Sequence, residues 1–531
     1  MLNLTQKSLS FQTPYIFRQS ENRDRNFVVH SPTIYDKTQY EQDIKEFGLE
    51  ETWHKVCDMV YKSQQIDFID NLSDMYELGL SIIDKNEKKN NGQYFTPPDI
   101  AKIMSKWLIP LHGEKVADIA CGTGNLILSY LDEIGKDNAI SLLQSGNLYL
   151  YDIDKIALQI CIASIAMKYG KENIQNIHTV CDDFLNKNVG LPENCKVICN
   201  PPYAKLNMAS SYQPTKVLLE TKEYFSAFME KIITQSVSSV IITPYSFIGG
   251  NKFYPLRLLL NKYNGFIVSF DNVPGNIFAG TKYGIFNSNT SNSVRAAITV
   301  VENKPNINGF RLSHLIRFKT QERIQLLNNQ VLEQFVSEKY QTVSSVQPSY
   351  YKCEKTLEKI LDAWQIKSTQ ILLDLIVDNG KYKMYIPNTC RYFTTATQYN
   401  LQRSGKIELS FSDEFVFSFV YCLINSSFAY WHWRLYDGGI TYQKNLLLKL
   451  PIFYEILSEN DKLFFCGLAQ EMISLEKEFI VTKSNVGVQE NVKFPVTFRQ
   501  KINQRILAIL NINENDEILE KVHANSLFEK D

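Results

Sequence analysis

Between Gly92 and about residue 305, short apolar or β-branched runs alternate with longer helical patterns, and this rhythm limits the folds open to the chain. The strand-like runs are KVADIA, NLYLYDID, NIHTVCDDF, CKVICN, SSVIITPYSF and FIVSFDNV. Between them lie NLILSYLDEIG, KIALQICIASIAMKYG and KEYFSAFMEKIITQS, each with apolar residues at helical spacing. One more strand, RAAITVVEN, closes the region. Such alternation predicts an α/β fold with a mostly parallel sheet and helices on both faces.

The flanks follow other rules. Residues 1–88 start polar and continue into helix-like patterning, so an N-terminal helical region is expected there. The run DKNEKKNNG, Asp84 to Gly92, is charged and Asn-rich and reads as an exposed linker. After the alternating region, taken as residues 89–308, the stretch 309–531 mixes helical segments with short irregular strands and is expected to form a separate α+β domain. A chain of 531 residues has room for about three domains. Its most apolar stretch, Glu414 to Tyr436, is broken by Asn425, Ser426, Ser427, His432 and Arg434, and reads as a core helix rather than a membrane span. The N-terminus lacks a basic segment followed by an apolar one, so no signal peptide is expected. Ten scattered cysteines suit a reducing cytoplasm. Cys195 and Cys199 flank an apolar run without His partners, so no metal site is expected.

Chemistry concentrates at the ends of the strand-like runs. DIACGTGN, Asp118 to Asn125, follows a strand start and precedes a helix; Gly122 and Gly124 allow a sharp turn and close approach of a ligand to helix N–H groups. A structural tight turn accounts for the same residues. In YDID, an acid at the next strand end (Asp152) can accept both hydroxyls of a ribose, or be a solvated strand end. In DDF, Asp183 can accept an adenine amine while Phe184 packs on the ring, or the acid can cap a helix. NPPY, Asn200 to Tyr203, is sharper. Two prolines stiffen the strand end, and the Asn200 side-chain carbonyl and Pro201 backbone carbonyl can both accept from one amine. That arrangement leaves the amine lone pair facing an electrophile without a strongly basic side chain.

In this order the motifs resemble the amino-methyltransferases of bacterial restriction–modification systems, in the class whose motif X precedes motif I. The motif X candidate is GQYFTPPDIAKIM, Gly92 to Met104. Within it Thr96 is expected to cap a helix, with Pro97 at the first helical position and Asp99 three residues past the cap. The resemblance implies a Rossmann-like domain binding S-adenosylmethionine. Tyr94 and Thr96 would lie at its methionine end, with Asp118, Ala120, Gly122, Gly124 and Asn125 in motif I. Asp152 would hold the ribose beside Ile153, and Asp183 and Phe184 the adenine. Asn200, Pro201, Pro202 and Tyr203 would be catalytic, Asn200 also facing the cofactor. GNIFAGTKYGIF followed by SNSVRAAITVVENK is similar to motif VIII, where Phe278 would stack with Tyr203 on an everted base; Tyr245 and Phe247 are the other aromatics for that role.

By the same resemblance the substrate is adenine N6 in double-stranded DNA, since cytosine-N4 enzymes more often carry Ser where Asn200 stands. The C-terminal 309–531 would be a target-recognition domain, with Tyr442, Gln443 and Lys444 of the loop GGITYQKN reaching bases or phosphates. The net charge of −1 and a pI of about 6.7 do not advertise a polyanion partner, although basic groups gathered in one cleft leave total charge with little weight. A cognate endonuclease or a specificity subunit is the further partner implied. Two alternatives stand beside this reading: a modification subunit of a type I complex, and a catalytically silent DNA-binding module. Neither a nuclease motif nor any other match is legible in the first ninety residues.

Overall fold

The computed structural model of the chain describes residues 96–279, 294–304, 308–483 and 488–525. The N-terminal helical region expected at 1–88 lies outside them, as do Tyr94 and the stretch between Ala279 and Val294. Every apolar run predicted as a strand forms one: β1 (Lys115–Ile119), β2 (Leu148–Asp152), β3 (His178–Cys181), β4 (Cys195–Cys199), β5 (Ser238–Pro244), β6 (Asn264–Phe270) and β7 (Ala296–Glu302). An eighth, β8 (Phe310–Ile316), joins them in one sheet of order β3-β2-β1-β4-β5-β7-β6-β8. The pairings β1–β2, β2–β3, β1–β4, β4–β5 and β6–β8 are parallel, and β7 alone runs the other way.

Helices α1 (Pro98–Leu108), α2 (Asn125–Glu133), α3 (Lys136–Gln144) and α4 (Lys155–Tyr169) supply apolar residues to one face, where Ile100, Ile127, Leu143 and Ile165 meet Leu150, Val240 and Ile298. The other face is covered by α5 (Tyr224–Gln235) and α6 (Tyr254–Leu260), through Phe228, Ile232 and Leu256 against Val197, Ile241 and Ile267. Val240 and Ile241 enter opposite cores because successive strand residues point to opposite faces.

The structure moves the expected boundary at residue 308. β8 follows it and pairs with β6, and the chain then returns to α1: Asn329 donates to the Ile103 carbonyl at 3.1 Å and Trp107 donates to Glu333 at 2.7 Å. Leu326, Leu332 and Val336 complete that apolar layer. A separate core begins near Cys353. It is built on α7 (Glu358–Lys367), α8 (Glu414–Ile424), α9 (Ser427–Tyr436), α10 (Glu459–Leu475) and α11 (Val496–Ile509). The apolar stretch 414–436 is thus two helices rather than one. Asn425 turns its amide to the Ala396 backbone and Thr395 hydroxyl, and Ser426 caps α9 by accepting from the Phe428 N–H at 3.1 Å. Among the described residues no helix is long and apolar enough to cross a membrane.

One buried carboxylate fastens this second core to the sheet. Asp271 follows β6, and its oxygens accept from Arg295 at 2.8 Å, Arg317 at 2.9 Å and Arg434 of α9 at 2.6 Å. The guanidiniums also reach the carbonyls of Gly439, Arg391 and Leu315. Burial alone would raise the Asp271 pKa, but Arg434, Arg295 and Arg317 outweigh it and hold the group at about 2. Because this lies below its unfolded value, the group stabilises the fold above about pH 4 and ceases to do so as pH falls towards 2. Removing one partner of a buried ion pair typically costs about 3–5 kcal/mol. Asp271→Ala should lose stability on that scale in chemical denaturation, and its stability should be flatter than wild type between pH 4 and 2.

Candidate functional site at the carboxyl edge of the sheet

The ends of β1 to β4 converge where the strand order reverses between β1 and β4, the place at which doubly wound sheets open a crevice. The β1–α2 turn takes left-handed backbone at Ala120 (φ 57°), Gly122 (54°) and Gly124 (98°). At Gly124 a Cβ would lie 2.8 Å from Cys161 Sγ of α4, so helix packing excludes a side chain. At Gly122 an added Cβ meets nothing within 4 Å, so the turn faces open space. Asp118 is completely buried, accepting from the Ile127 N–H at 3.1 Å, and burial pushes its pKa well up. Expected in the cofactor site, it lies beneath the turn and there fixes the start of α2.

The two acids of YDID separate by task. Asp152 accepts from the Gly122 N–H at 2.7 Å and the Asp154 N–H at 2.8 Å, tying the glycine turn to the end of β2. Burial raises its pKa against those backbone bonds. Asp154 caps α4 through the N–H groups of Ile156 and Ala157. Ile153 between them is 69% exposed. Phe184, expected to offer its ring there, is 3% exposed and packs inward, edge-on to Tyr151 at 5.8 Å and against Phe228 at 5.3 Å. Its aromatic surface is already used by the core. Asp183 is half-buried.

Motif X and NPPY meet directly. Helix α1 starts at Pro98 with Pro97 in the cap position and no side-chain cap, one residue later than expected. Thr96 is thereby released from capping. Its Oγ1 accepts from Asn200 Nδ2 at 2.9 Å and its carbonyl from Asn125 Nδ2 at 3.4 Å, joining the segments before α1, after β1 and after β4. Asp99 instead forms a bidentate pair with Arg323. Pro201 is buried, while Pro202 and Tyr203 are half-buried. The Tyr203 hydroxyl donates to the Ile242 carbonyl of β5 at 3.1 Å, and its ring meets Phe278 edge-on at 5.9 Å. Phe278 is 1% exposed, so it backs Tyr203 and offers no open face of its own. Tyr245, after β5, donates to the Asp437 carbonyl at 3.0 Å and belongs to the junction with the second core, and Phe247 is buried.

In the C-terminal loop, Gln443 and Lys444 are exposed at the start of a short helix, Lys444–Leu447. Tyr442 is not available to a ligand. It is 1% exposed and bonded to His432 at 2.6 Å inside the core.

The fold and the crevice define a Rossmann-like α/β domain with an Asn-Pro-Pro-Tyr segment at its switch point. Residues 67–307 match the family model described as N-6 DNA Methylase, a match that starts inside the stretch for which the sequence alone offered none. The type I restriction enzyme MpnII methylase subunit of Mycoplasma pneumoniae is 30% identical over 26% of this chain and 26% of its own length. The type II methyltransferase M.VspI of a Vibrio species is 31% identical over 30% of this chain and 35% of its length. A nuclease-deletion mutant of the Type ISP restriction-modification enzyme LlaGI, solved with a DNA substrate mimic, is 11% identical over 85% of this chain and 61% of that one, with a TM-score of 0.43. The alignments thus span about a quarter to a third of the length of these curated relatives.

Gly124→Ala should cost about 1–3 kcal/mol, from overpacking against Cys161 and a left-handed φ. Cys161→Ala in the same chain should recover part of that loss in thermal denaturation, whereas Gly122→Ala, limited to backbone strain, should not respond to it.

Proposed function

We propose that this chain is a site-specific DNA methyltransferase that places a methyl group from S-adenosylmethionine on N6 of adenine in double-stranded DNA. It would serve a restriction–modification system in the cytoplasm. The observation that carries the reading is Asn200, set at the end of the central strand β4 and oriented by Thr96 beside the glycine turn.

The residues present fit the cofactor. The open side of Gly122 admits a close ligand, Asp152 keeps an acceptor position beyond its backbone bonds, and Ile153 offers an apolar face for a purine. When bound, S-adenosylmethionine supplies an electrophilic methyl group on a sulfonium. The chain's own part is to hold the amine. Asn200 and the Pro201 carbonyl accept its hydrogens, which draws electron density onto nitrogen and aims the lone pair. The Tyr203 ring, steadied by Ile242 and Phe278, stacks the everted base. Gln443 and Lys444 touch the duplex.

Asn200→Ala should leave binding of cofactor and DNA nearly unchanged and lower transfer of labelled methyl by ~10²-fold or more. Asp152→Ala should weaken cofactor binding in calorimetry by roughly 1.5 kcal/mol for each ribose bond lost. Unchanged affinity there, or activity retained without Asn200, would overturn the respective assignment.

A second reading rests on the relative named as a type I methylase subunit: the chain would act only with a specificity subunit. The purified chain, incubated alone with DNA and cofactor, decides between them. Methylation of a defined sequence supports the independent enzyme, with affinity falling steeply as salt rises. Activity that appears only on adding a specificity protein supports the subunit. DNA binding with no transfer under either condition would point to the silent module.

A further inference from the structure

Asp183 ends up with a partner that no local pattern announces. Its Oδ1 accepts from the Leu185 N–H at 2.9 Å, a short-range turn bond. Its Oδ2 accepts from the hydroxyl of Tyr212, twenty-nine residues on. Tyr212 lies on the segment that leaves NPPY, and that segment is laced to the residues after Asp183. Tyr212 bridges Asn186 as in an antiparallel pair, and the Lys187 N–H donates to the Ser211 carbonyl at 3.0 Å. From α5, Lys231 Nζ braces the same turn through the carbonyls of Phe184 at 2.5 Å and Asn186 at 2.8 Å. Tyr212 itself is buried, and burial, with Asp183 and Tyr224 beside it, raises its pKa and keeps the phenol protonated. The phenol is thus the donor and the carboxylate the acceptor.

A carboxylate has about four acceptor positions, and here two are taken by the protein. We propose that Tyr212 is a positioning residue for cofactor choice: by fixing the rotation of Asp183 it aims the remaining acceptor positions at the crevice, where they select a purine that carries a 6-amino group. This rests on the reading above that the crevice takes an adenosine-bearing cofactor with its base near Asp183. It adds a coupling, because one stretch of chain carries both the amine-holding Asn200 and the residue that sets Asp183.

The test uses the full chain and calorimetry with two ligands, S-adenosylhomocysteine and the same molecule with hydrogen in place of the purine 6-amino group. Wild type should prefer the amino ligand by about tenfold, as expected for one hydrogen bond to a charged group. Tyr212→Phe should cut the preference to about threefold or less, with affinity for the amine-free ligand unchanged, which also reports an intact crevice. On an Asp183→Asn background, Tyr212→Phe should bring no further loss of preference. A wild type without preference removes the assignment of Asp183 and leaves Tyr212 no role in selection. If wild type discriminates and Tyr212→Phe does so equally, weakening both ligands alike, Tyr212 only packs and the proposal alone is overturned. A Tyr212→Phe chain that does not fold also overturns it, since the hydroxyl is then needed by the core itself.

Discussion

The reversal of strand order between β1 and β4 is the constraint on which the rest of the structure depends. Right-handed crossovers carry the chain outward from β1 to β3 on one side, and it must then restart at β4 on the other. Helices therefore leave in opposite senses on either side of one gap, and the turn after β1 and the tetrapeptide after β4 are left facing each other. Thr96, arriving from before α1, bonds to residues of both. A segment that would otherwise only lead into a helix thus ties the two together.

The same edge supports the second core. Asp271, Arg295 and Arg317 sit at the carboxyl ends of β6 and β8 and the start of antiparallel β7, which brings three distant parts of the chain to one end of the sheet. Arg434 docks into that cluster from α9. Asp437 in the following turn reaches Tyr245 after β5, the strand next to NPPY. The C-terminal half is thereby held against the edge that carries the candidate chemistry, and Gln443 and Lys444 lie only a few residues beyond the anchor.

Much of the sheet was legible because its inner strands are buried on both sides and read as largely apolar runs, as in CKVIC and SSVIIT. β8 escaped because FRLSHLI interrupts its apolar residues with Arg311, Ser313 and His314, and because its partner β6 lies forty residues away. At the site, residue types were more legible than directions. Asn200 and Asp152 stand at strand ends as expected, whereas Asp118 and Phe184 turn into the interior and Tyr442 into the second core. Motif spacing locates a backbone position, but which way its side chain points depends on packing partners from other segments. The Thr96–Asn200 and Tyr212–Asp183 bonds, like the Asp271 cluster, join side chains far apart in sequence. Local propensity carries no trace of such pairs.

The Asp271 cluster also orders events in time. Its carboxylate is made at residue 271, two guanidiniums follow by residue 317, and the last arrives only at residue 434. While the chain emerges from the ribosome, the early partners can meet within a sheet that is already pairing, but water still has access until α9 docks. The final desolvation is thus a late, long-range step of the kind that slows folding. A chain halted before Arg434 would possess every strand of the sheet yet leave its carboxyl edge unsealed.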